Sequence, residues 1–293
     1  MYEQLLFPTD GSDGASLALD HVLDIATSHD ATVHVLNVAD TTQDSLTQIQ
    51  GEIIDVLEQE GEEIVQDAAT RVQDRGVDVV TEVLQGEPYR TILNYADSHD
   101  IDLVVMPTHG RRGLERFLLG STTERVVRRA ETPVLTIRPD DETRITYPYR
   151  NVLVGTDGSD CADQALDVGV DVANADEAAL HLLSVIALPS LGADVRLDLQ
   201  MEALEEGAHT LLDDAAEVAA DAGVEEVSTA VEHGPSIHQV ILSYIEEHDI
   251  DIVVVGTQGR TGFDRYVLGS VSEYLVRTSP IPVLTVRASE QEV

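Results

Sequence analysis

The sequence contains no lysine. All 17 of its basic residues are arginine, set against 55 Asp and Glu, for a net charge of −38 over 293 residues. A P-loop phosphate site needs its lysine, so that enzyme class is excluded. No basic face is available to neutralise a run of backbone phosphates, which argues against nucleic-acid binding. Cysteine is nearly absent too: Cys161 stands alone. One thiol cannot close an internal disulfide, so nothing points to an oxidising compartment. Tryptophan is missing, leaving eight Tyr to supply most of the ultraviolet absorbance. No apolar run approaches the about 18 residues of a membrane span. The opening Met1-Tyr2-Glu3-Gln4 lacks the basic start and apolar stretch of a signal peptide. A cytoplasmic location is expected.

Carboxylates in such excess repel one another. Concentrated salt shortens that repulsion to about 3 Å at 1 M ionic strength. The acidic, lysine-free composition is therefore expected of a protein kept soluble in a salt-rich cytoplasm.

What the chain does have is a repeat. Residues 5–20 read LLFPTDGSDGASLALD and residues 152–167 read VLVGTDGSDCADQALD, an offset of 147. Residues 100–138 and 249–287 share 21 of 39 positions at an offset of 149. A period this long is duplication of a whole domain, not a solenoid. The expected domains are 1–140 and 149–293, joined by the polar segment Pro139–Arg144.

Each copy alternates short β-branched runs with longer amphipathic stretches. Strands are expected at 3–8, 32–38, 77–84, 101–106 and 133–138, and at 150–155, 179–186, 226–232, 250–255 and 282–287. Helices are expected at 13–29, 45–75, 88–99 and 122–130, and at 160–174, 197–222, 236–248 and 271–278. Leu103-Val104-Val105-Met106 and Ile252-Val253-Val254-Val255 are unbroken apolar runs, suited to parallel strands covered on both faces. The fold class is α/β: two repeated, doubly wound, open parallel sheets, Rossmann-like. Ligands in such sheets sit beyond the carboxyl ends of the strands, where strand order reverses.

Two segments could carry chemistry there. In copy two, Gly256-Thr257-Gln258-Gly259 is followed by nine residues and then Gly269-Ser270. Glycines admit close backbone approach, and free amides at a helix start favour an anion. This is either a phosphate cradle or a glycine-rich connector with an ordinary serine cap. The second segment is Thr156-Asp157-Gly158-Ser159, matched by Thr9-Asp10-Gly11-Ser12. The serines suit N-caps, while Asp10 and Asp157 could contact a ribose or a metal.

With those residues in view, both halves resemble universal stress protein domains of the ATP-binding type. The resemblance implies sheets of five strands in the order 3-2-1-4-5 and a site for ATP, ADP or AMP, with or without Mg. It places Gly155, Thr156, Asp157, Leu182, Val255, Gly256, Gly259, Gly269, Ser270 and Val271 around the nucleotide in copy two. The main chain at Leu182 meets adenine, Val255 and Gly256 line the base and ribose, and Gly259 to Val271 face the phosphates. In copy one the corresponding positions are Pro8, Thr9, Asp10, Val35, Met106, Gly110, Gly120, Ser121 and Thr122. There Pro107 replaces the first glycine and removes one N–H.

Arg111, Arg112, Arg116, Arg260 and Arg265 crowd the two loops, as phosphate grips or as partners of nearby carboxylates. No GxGxxG follows a strand, which argues against a dinucleotide oxidoreductase. His34 and His181 are expected to be structural, and Cys161, with Gly14 in its place in copy one, unreactive. The resemblance implies a nucleotide-binding stress-response regulator. A partner-binding module that has lost the nucleotide, and a weak ATPase, stand as alternatives. The two copies are expected to pair within the chain through strand five, with or without a second chain.

Overall fold

The computed structural model describes residues 1–40, 52–110, 119–140, 142–188, 195–259 and 268–288. The five loop arginines named above lie outside that set. The chain divides into two compact units, residues 1–147 with 276–280, and residues 148–275 with 281–293.

Unit one runs β1 (Gln4–Pro8), α1 (Asp13–His29), β2 (Thr32–Asp40), α2 (Glu52–Asp74), β3 (Val79–Gly86), α3 (Pro88–Ser98), β4 (Leu103–Pro107), α4 (Ser121–Arg129) and β5 (Val134–Ile137). Its strands are parallel, in the order β3-β2-β1-β4-β5. Unit two repeats the plan with β6 (Asn151–Gly155), α5 (Asp160–Asp176), β7 (Ala179–Ala187), α6 (Val195–Asp221), β8 (Val227–Gly234), α7 (Ile237–Glu247), β9 (Ile252–Gly256), α8 (Ser270–Thr278) and β10 (Val283–Val286). Its order is β8-β7-β6-β9-β10, again parallel. Both are the 3-2-1-4-5 sheet, with the reversal between the first and fourth strands.

The central strands are fully buried. Leu5, Leu6 and Val104 are 0% exposed, as are Val152, Leu153, Val253 and Val254. Each such side chain contributes about 1.5–3 kcal/mol by leaving water. In the edge strands β3 and β8 every residue except Gly234 is half-buried or exposed, and β3 begins two residues later than its sequence pattern suggests.

Local signals set the helix ends. Ser12 Oγ accepts from the Ala15 amide at 3.2 Å, and Ser159 Oγ from the Ala162 amide at 3.3 Å. Each satisfies one of the donors a helix start leaves open. The α1 and α5 helices end at Asp30 and Glu177, both left-handed at φ 54°. Among the described residues no helix is long and apolar enough to cross a membrane, and no group of three or more His, Cys, Asp or Glu could hold a metal.

Candidate functional site

The first and fourth strands of each sheet end side by side, and their loops meet. In copy two the Asp157 carboxylate uses Oδ1 to accept from the Ser159 amide at 3.1 Å. Its Oδ2 turns to the glycine loop: a Cβ on Gly259 would stand 2.6 Å from it. Copy one is built alike, with Asp10 Oδ1 accepting from the Ser12 amide at 3.0 Å and Oδ2 lying against Gly110. Gly259 and Gly110 are glycines because a carboxylate occupies the space of a side chain. Gly11 and Gly158, at φ 71°, are glycines because the turn needs a left-handed residue. The loops also touch directly in copy two, where Ser159 Oγ donates to the Gln258 carbonyl at 3.4 Å.

The helix after each glycine loop starts one residue earlier than its sequence suggests. Gly120 is the N-cap of α4, and the first intrahelical bond runs from the Glu124 amide to the Gly120 carbonyl at 2.8 Å. In α8 the equivalent bond runs from Glu273 to Gly269 at 2.9 Å. The amides of residues 121–123 and 270–272 thus have no acceptor within their helices. The amides of Gly120 and Gly269 are engaged otherwise, donating to Thr108 and Thr257 carbonyls at 2.7 and 2.8 Å. They hold the loop closed, and the donors left to face an anion are those of Ser121, Thr122 and Thr123, and of Ser270, Val271 and Ser272. Side chains seat these helix starts as well. Thr123 Oγ1 donates to the Pro107 carbonyl at 2.9 Å, and Ser272 Oγ to the Gly256 carbonyl at 2.6 Å. Sequence reasoning missed this pair, although both copies read Gly-Ser-x-Thr/Ser at the helix start.

Gly256 has a different neighbour. A Cβ there would stand 2.8 Å from the backbone carbonyl and Cβ of Cys161 in the first turn of α5. In copy one the sizes are exchanged: Pro107 replaces Gly256, and Gly14 replaces Cys161. Gly14 has its own crowding, with Pro139 Cγ 2.9 Å and the His109 carbonyl 3.2 Å from a Cβ. The first glycine of the copy-two loop is therefore explained by helix-to-strand packing, and Cys161 by the space it fills.

Prolines also change the seam between the first and fourth strands. Val104 and Thr108 donate to β5, through Pro133 and Ile137 carbonyls at 3.0 and 2.9 Å. Successive amides of a strand point to opposite sides, so Pro107 faces β1. Thr9 donates to the Leu36 carbonyl in β2 at 2.8 Å, so Pro8 faces β4. Both prolines remove a donor from the same seam. The β1–β4 ladder pairs only Leu5 with Leu103 and Leu6 with Val104. The β6–β9 ladder runs on through Val152–Ile252, Leu153–Val253, Val154–Val254 and Gly155–Val255.

One expectation is corrected. Val35 and Leu182 are 1% and 0% exposed and lie inside double ladders. Val35 pairs with Phe7 and Thr81, Leu182 with Val154 and Thr229. Their main chains are already engaged. Beyond Leu36 and Leu183 the first strand turns away while β2 and β7 run on to Asp40 and Ala187. The main chain open toward the site belongs to Asn37–Val38 and Ser184–Val185, and Val38 and Val185 are half-buried there. The nine-residue length of these strands against five in β1 and β6 is the signal that locates them. The remaining sequence candidates gather at the carboxyl ends: Pro8, Thr9, Met106, Gly155, Thr156 and Val255 at the strand termini, all but Gly155 buried.

His34 and His181 lie away from this site. Their Nδ1 atoms pair with Tyr95 and Tyr244 hydroxyls at 2.9 and 3.1 Å. Burial, then a neighbouring histidine, holds both below the usual imidazole range, and burial pushes Tyr95 up to about 12. His109, beside the copy-one glycine, is also held low, chiefly by burial, and copy two has Gln258 in its place.

A model of the universal stress protein family matches residues 1–138 and again residues 148–287. A universal stress protein of Methanocaldococcus jannaschii is 37% identical over 141 residues, which is 47% of this chain and 83% of its own. A universal stress protein structure from Archaeoglobus fulgidus covers 98% of both chains, with a TM-score of 0.74 and 26% identity. A Pseudomonas aeruginosa protein of unknown function covers 98% of this chain and 93% of its own, at a TM-score of 0.63 and 19% identity, a likeness of fold alone.

Proposed function

The chain belongs to the universal stress protein family in both of its halves, and from that premise we propose that it is an adenine-nucleotide-binding regulatory protein. ATP or ADP is held at the switch point of copy two and acts as a ligand that shifts conformation or partner affinity. The observation that carries this reading is the meeting of the Asp157 carboxylate with Gly259, one loop away from the open amides of Ser270, Val271 and Ser272. A carboxylate suits ribose hydroxyls. Three amides at a helix start suit a phosphate, each such contact contributing about 0.3–1 kcal/mol when exposed and up to about 2 when partly buried. Half-buried Val185 offers apolar surface for a base. The donor set fits the nucleotide, and Mg would be held through its phosphates rather than by a protein cluster.

Copy one has the same carboxylate and helix start but a shorter central seam, so its affinity is the lower of the two. The acidic surface suits this protein to concentrated salt. Acid extraction of the purified chain, with chromatography of the released material, is expected to yield adenine nucleotide. Equilibrium dialysis against labelled ATP in molar KCl is expected to show saturable binding. Neither co-purified nor saturably bound nucleotide would leave the partner-binding alternative standing. No histidine recurs in both glycine loops, which favours binding over hydrolysis.

A further inference from the structure

The two copies differ in how their first two helices face each other. In copy one, α2 carries Arg71, Arg75 follows four residues later just past its end, and α1 carries Asp20 and Asp24. Arg71 reaches Asp20 at 2.6 Å, and Arg75 reaches Asp24 at 2.6 Å. Arg71 also donates to the Ser16 carbonyl at 3.2 Å. In copy two, at the 147-residue offset, the aspartates remain as Asp167 and Asp171, and Asp163 replaces Ser16. The arginines become Val218 and Ala222. The α5 helix has no arginine, and α6 has only Arg196 near its start. Copy two thus presents three exposed carboxylates, one per turn, with the matching cations deleted.

Apolar surface runs along the neighbouring α6 and meets the carboxylate row at its Val218 end. Leu204 and Val218 are 53% and 47% exposed, and Leu211 between them is half-buried. Spaced by seven, they form one stripe along α6, about 21 Å long at 1.5 Å per residue. Asn174 of α5 donates to the Ala222 carbonyl at 3.1 Å, fixing the two helices side by side at this end. Burial, then Asp171 and Asp163, raise the Asp167 carboxyl above its ordinary range, so the row is crowded with like charge.

We propose that the α5–α6 face of copy two docks a partner protein's basic amphipathic helix, with arginine or lysine residues four apart beside an apolar stripe. The charge spacing is the one that Arg71 and Arg75 display against Asp20 and Asp24 in copy one. The apolar stripe lets the contact persist where salt screens the charges.

The test uses the full chain and a fluorescent 18-residue helical peptide with arginines four apart flanking a leucine stripe. Two control peptides replace the arginines by glutamate or the leucines by serine. Fluorescence anisotropy is expected to show one site per chain for the first peptide and at least about tenfold weaker binding of both controls. The double change Val218→Arg with Ala222→Arg installs copy one's own pairs. It is expected to weaken binding by about tenfold or more while circular dichroism and ATP binding stay unchanged. Arg71→Val with Arg75→Ala is expected to open a second site and raise the stoichiometry to two. Equal binding by the serine control, or by the Val218→Arg, Ala222→Arg chain, would overturn the proposal by showing only a solvated acidic face. Self-association of the chain that Val218→Arg abolishes would overturn it in favour of a second copy as occupant.

Discussion

Copy one and copy two hold the same carboxylate against the same glycine, yet they close their central seam differently. In copy two the ladder between first and fourth strands continues to Gly155 and Val255. In copy one it stops at Leu6 and Val104, because Pro8 and Pro107 offer no amides to it. The change at Pro107 is matched across the helix: Gly14 stands where Cys161 would be. A residue that looks like the loss of a binding glycine is thus half of a packing exchange. The carboxylate contact that supports nucleotide binding survives in both halves.

The exchange can be broken deliberately. Gly256→Pro alone forces a ring into Cys161 and deletes a ladder donor, and is expected to cost about 4 kcal/mol. Adding Cys161→Gly relieves the overlap, so chemical denaturation of the four-member cycle is expected to show about 1–3 kcal/mol of favourable coupling. Additive costs would mean that the two positions do not share one space.

Acid separates the copies next. His21 is 1% exposed, and burial, opposed by Asp24, lowers its pKa to about 4. Its counterpart in copy two is Val168. The unfolded imidazole takes a proton near its ordinary 6.5, while the folded one resists until about 4. Stability is therefore full above pH 6.5 and is lost as pH falls toward 4, by about 3 kcal/mol. His21→Val is expected to remove that part of the acid dependence in urea melts at pH 7 and pH 4.5. An unchanged pH dependence would place the lability elsewhere.

The smallest difference is the pair of arginines. Both ion pairs are solvent-exposed, with side chains between 37% and 63% accessible. Arg71→Val with Arg75→Ala is expected to cost less than about 1 kcal/mol per pair by thermal melting. A larger loss would give these pairs a structural role that copy two does without.

The duplication and the strand ends were legible because apolar runs such as Leu103–Met106 and glycine-marked turns such as Asp157-Gly158 are local signals, whereas the strand order, and with it the switch point, came from the family resemblance. Register was not local. Val35 and Leu182 follow their strand histidines as the resemblance implies, but pairing with Phe7 and Val154 buries them one turn of chain before the site. The edge strand β3 drifted by two residues because none of its residues is fully buried, which leaves little apolar signal. The reason for Gly256 was invisible too, since it depends on a helix 95 residues earlier in the chain.

The central claim is that a nucleotide sits between the Asp157 carboxylate and the start of α8. Titration calorimetry with ATP on the intact chain, on Gly259→Val and on Gly110→Val tests it most directly. The account predicts that Gly259→Val, whose side chain displaces Asp157 Oδ2, abolishes the stronger site, while Gly110→Val leaves that site intact. Identical ATP binding by the native chain and Gly259→Val would contradict it.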